Sequence, residues 1–245
     1  MPSFINRFIE NIRVKWYDYY LGFLEIILSA LMGFMVAAIV LIVLGSDPLK
    51  TFSILLSYGY SDLSYLLARS TPLIMTGLAF SIPLLAGVFN IGGESQLYLG
   101  ALASLLIAYY TGNWFLALIA GFIAGAGWGG LIAFLRVYRG INEVITAIML
   151  NWTAYYLIIF LILKYFSNPV IPQQSIEVPV SAKLTPEIGF LLSVIGALIV
   201  YYILYYTDIG YKMRVSGLSP QSARYAGFNP MKSILFSMLI GGGMS

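Results

Sequence analysis

Apolar residues in this chain gather into long runs separated by short polar segments. The first continuous run begins near Leu24 and lasts about 20 residues, the length a helix needs to cross a bilayer core. The same criterion predicts spans near 24–44, 66–88, 95–111, 114–135, 143–163 and 187–206. A seventh run, Ser233 to Ser245, has 13 residues and three glycines. That is too short for about 30 Å of hydrocarbon. The expectation is a partial span at 233–245 in a C-terminally truncated sequence, with further spans belonging to a longer product. The predicted fold is all-α, a polytopic transmembrane helical bundle.

The polar segments set the connections. Asp47-Pro48 marks a turn in the stretch from Gly45 to Tyr65. Lys164 to Pro186 is rich in Pro, Ser and Gln and reads as an exposed loop. Residues 208–232 form the longest polar stretch. Ahead of the first span, Phe4, Phe8, Ile9, Ile12 and Trp16 recur at helical spacing, interleaved with Arg7, Glu10, Arg13 and Lys15. Residues 1–23 thus read as a cytoplasmic, interfacial amphipathic segment, with a solvated lead-in as the alternative. The membrane domain is then 24–245. The first apolar run is too long for a cleavable signal.

Charge placement supplies the orientation. With the N-terminus inside, cytoplasmic segments hold Arg7, Arg13, Lys15, Arg136, Arg139, Lys212, Arg214, Arg224 and Lys232. Outer segments hold Lys50, Arg69, Lys164 and Lys183. The excess of cations inside predicts a multi-pass protein of the cell membrane with its N-terminus in the cytoplasm. Composition agrees: 60% of residues are hydrophobic and 9% charged, against roughly 25% charged in soluble domains. There is no cysteine and no histidine, which removes disulfides, zinc sites and Ser-His or Cys-His nucleophiles. No metal and no nucleic-acid partner is expected.

Four polar or small-residue patterns lie within or beside the spans. Asn90-Ile91-Gly92-Gly93-Glu94-Ser95-Gln96 places a carboxylate, two amides, a hydroxyl and two glycines between apolar runs. Lipid offers no hydrogen bonds, so these groups face protein or water, as a site or as a short cytoplasmic turn. Pro72 and Pro83, in the span just before, favour a kink or break. Asn142-Glu143 opens the fifth span, and Asn151 follows on roughly the same helical face. Glu143 is either a gate residue or a charge favoured by the helix dipole. Gly121, Gly125 and Gly129 recur every four residues, a stripe for close helix packing. The surrounding G-x-G-x-x-G lies in an apolar span with no strand before it, which rejects dinucleotide binding. No Walker-A sequence is present, and no cation lies deep in a span. Amides, carboxylates, hydroxyls and tyrosines suit a neutral polar solute.

Three segments, two of them among these patterns, carry a family resemblance. Phe89 to Gln96 resembles the FNIGGEGQ element of permeases in the branched-chain amino acid/simple sugar ABC importer superfamily, nucleoside-type branch. Asn142-Glu143-Val144-Ile145 with Met149-Leu150-Asn151 is similar to that branch's NEVI and MLN elements. Gly217-Leu218-Ser219-Pro220, with Ala223-Arg224-Tyr225-Ala226-Gly227, resembles its cytoplasmic coupling segment. The likeness runs over roughly residues 24 to 240. Ser95 departs from it, standing where the family usually has glycine.

The resemblance implies a type II-like importer permease, itself without ATP or any other cofactor. It implies two ATP-binding cassette subunits, a second permease subunit and an extracytoplasmic solute-binding lipoprotein. The solute would be a nucleoside or a simple sugar. Asn90, Gly92, Gly93, Glu94, Gln96, Asn142, Glu143 and Asn151 are the expected pathway or inner-gate residues. Gly217, Pro220, Ala223, Arg224 and Gly227, in segment 208–232, would contact the ATPase. The alternative is a proton-coupled transporter relaying through Glu94 or Glu143. An intramembrane hydrolase has no base-nucleophile pair here.

Overall fold

Polar caps and single glycines decide where the helices of this protein begin and end. The computed structural model describes the backbone of residues 2–245 and the side chains of residues 21–245. The protein forms two compact units, Met1–Asp62 and Leu63–Ser245.

In the first unit α1 runs Pro2–Val43 as one helix, and its apolar stretch is Leu21–Val43. The amphipathic reading of Phe4 to Trp16 falls on side chains outside the described residues. After a turn at Gly45, Asp47 accepts from the backbone N–H groups of Leu49 and Lys50, at 2.9 and 3.3 Å. Pro48 takes the first helical position, where its missing N–H costs nothing. Asp47-Pro48 is thus the start of a second helix, α2 (Pro48–Ser61), as well as a turn. Phe34 and Phe52 meet edge to face, their centroids 5.4 Å apart, and tie α2 to α1.

The second unit holds α3 (Leu63–Leu85), α4 (Gly93–Thr111), α5 (Trp114–Arg139) and α6 (Glu143–Tyr165). It continues with α7 (Pro186–Tyr206), α8 (Asp208–Leu218), α9 (Pro220–Tyr225) and α10 (Pro230–Gly243). Asn113, Asn142, Ser219 and Asn229 cap α5, α6, α9 and α10 through their side-chain oxygens. Among the described residues five helices are long and apolar enough to cross a membrane: α1, α3, α5, α6 and α7 with the turn before it. Helix α4 is 19 residues long but opens with Glu94, Ser95 and Gln96, which lower its hydropathy.

The short last helix is the centre of the packing. Helix α10 lies against α3, α5 and α8, and Ser233, Ser237, Met238, Gly241 and Gly242 are buried there. A run that reads as an incomplete span is therefore a core element. Glycines permit the approach. A methyl group on Gly125 or Gly129 of α5 would strike the backbone carbonyls of Gly242 and Met238. One on Gly241 would lie 2.7 Å from the carbonyl oxygen of Ala79 on α3. At Gly121 the neighbours are Ser104 and Gly100 of α4. Without a hydrophobic driving force between helices in lipid, such close van der Waals contact is what holds them together. Apolar clusters complete the unit: Ile82, Val200, Leu204 and Met213 on one side, Val88, Ile132, Ala147 and Met238 on the other.

Gly125→Ala is expected to destabilise the protein by about 1–3 kcal/mol through overpacking. Gly127→Ala, where nothing lies within 4 Å, should be neutral or stabilising by up to ~1 kcal/mol of helix propensity. Thermal unfolding in detergent separates the two; equal shifts would contradict the packing described.

Candidate functional site

The site grows out of one missing N–H. In a regular helix the carbonyl of Ala79 accepts from residue 83, but residue 83 is proline. The Asn90 amide reaches back instead, its Nδ2 donating to the Ala79 oxygen at 2.9 Å. The same Nδ2 donates to Gln96 Oε1, and Gln96 Nε2 donates to Asn90 Oδ1, both at 2.9 Å. This reciprocal amide pair is closed to solvent, with Asn90 3% and Gln96 0% exposed. The hydroxyl of Ser245 also donates to Gln96 Oε1, at 3.2 Å. Helix α3 itself passes Pro72 and Pro83 unbroken and ends two residues later, where Gly87 turns at a φ of 84°.

Asn151 of α6 holds the rest of the loop. Its Oδ1 accepts from the Ser95 backbone N–H at 3.3 Å, and its Nδ2 donates to the Ile91 carbonyl at 3.1 Å. Asn151 lies eight residues beyond Glu143, the first residue of α6, hence about 12 Å along the helix axis. Lipid offers no hydrogen bonds to non-helical backbone, and here the Asn151 amide supplies them. Ser95 is fully buried, and its hydroxyl donates to the Gly92 carbonyl at 2.8 Å. A side chain at Gly92 would strike Ile132, whereas Gly93 has only Ser245 Oγ within 4 Å.

Glu94 points the other way. It is exposed, and the Tyr98 hydroxyl donates to its Oε1 at 2.9 Å. Glu94, Ile148, Asn151, Trp152 and Tyr155 line a cavity of about 450 Å³ between α4 and α6. The indole of Trp152 and the ring of Tyr155 are nearly perpendicular, at 86°, with centroids 6.0 Å apart. Tyr98 and Tyr155 are 6.1 Å apart.

Asn142 and Glu143 sit elsewhere. Asn142 Oδ1 accepts from the N–H groups of Val144 and Ile145, at 2.8 and 3.4 Å. Glu143 pairs with Arg136 Nε at 3.2 Å and bridges α5 to α6. Neither joins the Asn90 network.

The segment after α7 folds as a hairpin of α8 and α9. Ser219 between them accepts from Ser222 N–H, and Pro220 takes the first position of α9. Ala223 is buried, while Leu218 and Tyr225 are 89% and 94% exposed; Arg224 is exposed as well. Gly227, with a φ of 81°, lets Phe228 N–H return to the Ala223 carbonyl at 2.8 Å and end the helix. Gly217 packs on backbone. A Cβ there would strike the Leu85 carbonyl and lie 2.9 Å from the Gly87 nitrogen. The hairpin thus touches the backbone at Gly87, three residues before Asn90. Sequence reading misses Ala79, Gly87, Trp152 and Tyr155. The signal for Ala79 is the proline four residues on.

Asn90→Ala is expected to cost about 1–3 kcal/mol, the penalty for unpaired buried polar groups. With Pro83→Ala, residue 83 regains an N–H for Ala79, and the cost of Asn90→Ala should fall by about 1 kcal/mol. Thermal unfolding across this double-mutant cycle measures the coupling; equal costs in both backgrounds would remove the assignment.

Residues 63–245 match the family described as branched-chain amino acid transport system/permease component. A glucose ABC transporter permease protein of Haloferax volcanii is 31% identical over 88% of this chain and 64% of its own length. A nucleoside ABC transporter permease protein of Lactococcus lactis is 25% identical over 89% of this chain and 67% of its own. For a guanosine ABC transporter permease protein of Bacillus subtilis the values are 26%, 88% and 67%. The chain spans about two thirds of the length of these curated relatives. No solved structure matches it. With a family match over most of its length and a bundle of membrane-spanning helices, the chain belongs to the branched-chain amino acid transport system/permease component family of membrane proteins.

Proposed function

We propose that this chain is the permease subunit of an ATP-driven importer and passes a neutral polar solute such as a nucleoside or a simple sugar. Its relatives' names supply those two solute classes. The observation that carries the reading is the seat of the α8–α9 hairpin. Gly217 rests on backbone atoms of Leu85 and Gly87, so no flexible side chain lies between hairpin and loop. A push on the hairpin therefore reaches Asn90 and Asn151 through stiff contacts. Exposed Leu218, Tyr225 and Arg224 give an ATP-binding cassette subunit an apolar and cationic surface to grip.

In this reading two ATPase subunits drive a pair of permease subunits, and an extracytoplasmic lipoprotein delivers the solute. The N-terminus and the hairpin lie in the cytoplasm, where the positive-inside bias puts Lys212, Arg214, Arg224 and Lys232. Gly217, Pro220, Ala223, Arg224 and Gly227 couple to the ATPase. Gly92, Gly93, Asn90, Gln96 and Asn151 form the hinge by which the inner side opens, and Glu94 faces the pathway. Asn142, Glu143 and Arg136 brace the α5–α6 turn beside it.

Gly217→Val in the assembled importer should lower ATP-dependent solute uptake about tenfold or more, the rate loss that ~1.4 kcal/mol produces. The ATPase subunit should still co-purify. Arg224→Glu should weaken that co-purification itself. Normal uptake and normal association in both variants would overturn the coupling role.

A further inference from the structure

We propose that the cavity between α4 and α6 is a solute-binding site inside the membrane and takes an uncharged, flat ring carrying N–H donors. This rests on the importer reading above and names the place and the chemistry that reading leaves open. The cavity, about 450 Å³, is of small-molecule size. Its walls carry one carboxylate, one amide and two aromatic rings, and no lysine or arginine. A phosphate or carboxylate ligand would find no cationic partner there and would meet the Glu94 carboxylate.

Each polar group has one function left. Glu94 Oε1 is taken by the Tyr98 hydroxyl, and Oε2 has no partner among the described residues, so it accepts from the ligand. Asn151 Nδ2 spends one proton on the Ile91 carbonyl and keeps the other for a ligand acceptor. The perpendicular rings of Trp152 and Tyr155 form a corner. A flat ring that stacks on one is met by the edge of the other, the two geometries aromatic pairs prefer. A pyranose has an apolar face for one ring but no π system to meet the second. Asn151 is also the clamp on Ile91 and Ser95. A ligand held by Asn151 and Glu94 therefore touches the same loop that the hairpin reaches through Gly217 and Gly87.

The absence of cysteine makes the test direct. Ile148, a lining residue 40% exposed, becomes the one thiol of this sequence in Ile148→Cys, and its labelling is read against the same transporter with Ile148 unchanged. In membranes carrying the assembled transporter, a water-soluble maleimide should label it. Saturating adenosine should slow that labelling about tenfold, as ~90% occupancy requires. Glucose should slow it far less, and inorganic phosphate not at all. Adding Trp152→Ala or Glu94→Gln should abolish the protection, and Trp152→Phe should keep it. ATPase co-purification with each variant monitors folding. A thiol that never reacts would show a cavity filled by lipid or a neighbouring subunit and overturn the site. Reaction unaffected by adenosine overturns it too, and equal protection by glucose overturns the flat-ring class. Adenosine uptake that persists without ATP would sink the importer reading alone and leave the labelling result standing.

Discussion

A backbone carbonyl inside a bilayer must find a hydrogen-bond donor in the protein. The second unit is organised around one that has lost its usual donor. Pro83 deprives Ala79 of its helical partner, and Asn90 replaces it. To do so, Asn90 must fold back under α3, which requires the turn at Gly87. Its own carbonyl oxygen must be satisfied, which requires Gln96. Gln96 then fixes the first turn of α4, and Asn151 fixes the strip between them. Removing any member leaves another buried polar group unpaired. Such a network is worth more than its members taken singly.

Close packing imposes the second constraint. Helix α10 reaches α3 and α5 only because Gly125, Gly129, Gly241 and Gly242 bring backbone onto backbone. Gly241 lies over Ala79 and Pro83, the residues at the origin of the amide network. The polar lock and the glycine seam are thus one construction, since both converge on the Ala79 carbonyl oxygen.

The long spans are legible in the sequence because twenty apolar residues in a row have few other uses. Asn90, Gln96 and Asn151 are legible because amides stand out in apolar sequence. Their partners are not. Ala79 looks like any apolar residue, and only the proline four positions later marks its carbonyl as needing a donor. Helix α2 is hidden because Asp47-Pro48 signals both a turn and a helix start. Length against bilayer thickness does not show how the 233–245 run packs, because the glycine contacts of α10 join it to helices far away in sequence. Trp152 and Tyr155 are lost among many aromatics; their spacing puts them on one face of α6 with Ile148 and Asn151, but it does not show that Glu94 of α4 closes a cavity with them.

Those two constraints decide what can move. The segment from Gly87 to Gln96 is held by the paired amides of Asn90 and Gln96, and by Asn151 at Ile91 and Ser95. The hairpin touches its entry through Gly217, and the cavity touches its exit through Asn151. Force applied at one end and a ligand bound at the other therefore act on the same short piece of backbone. If the loop has two arrangements, each site biases the other by its preference between them, and the bias is reciprocal. Under the proposed importer role, this linkage would tie solute occupancy to the position of the α8–α9 hairpin.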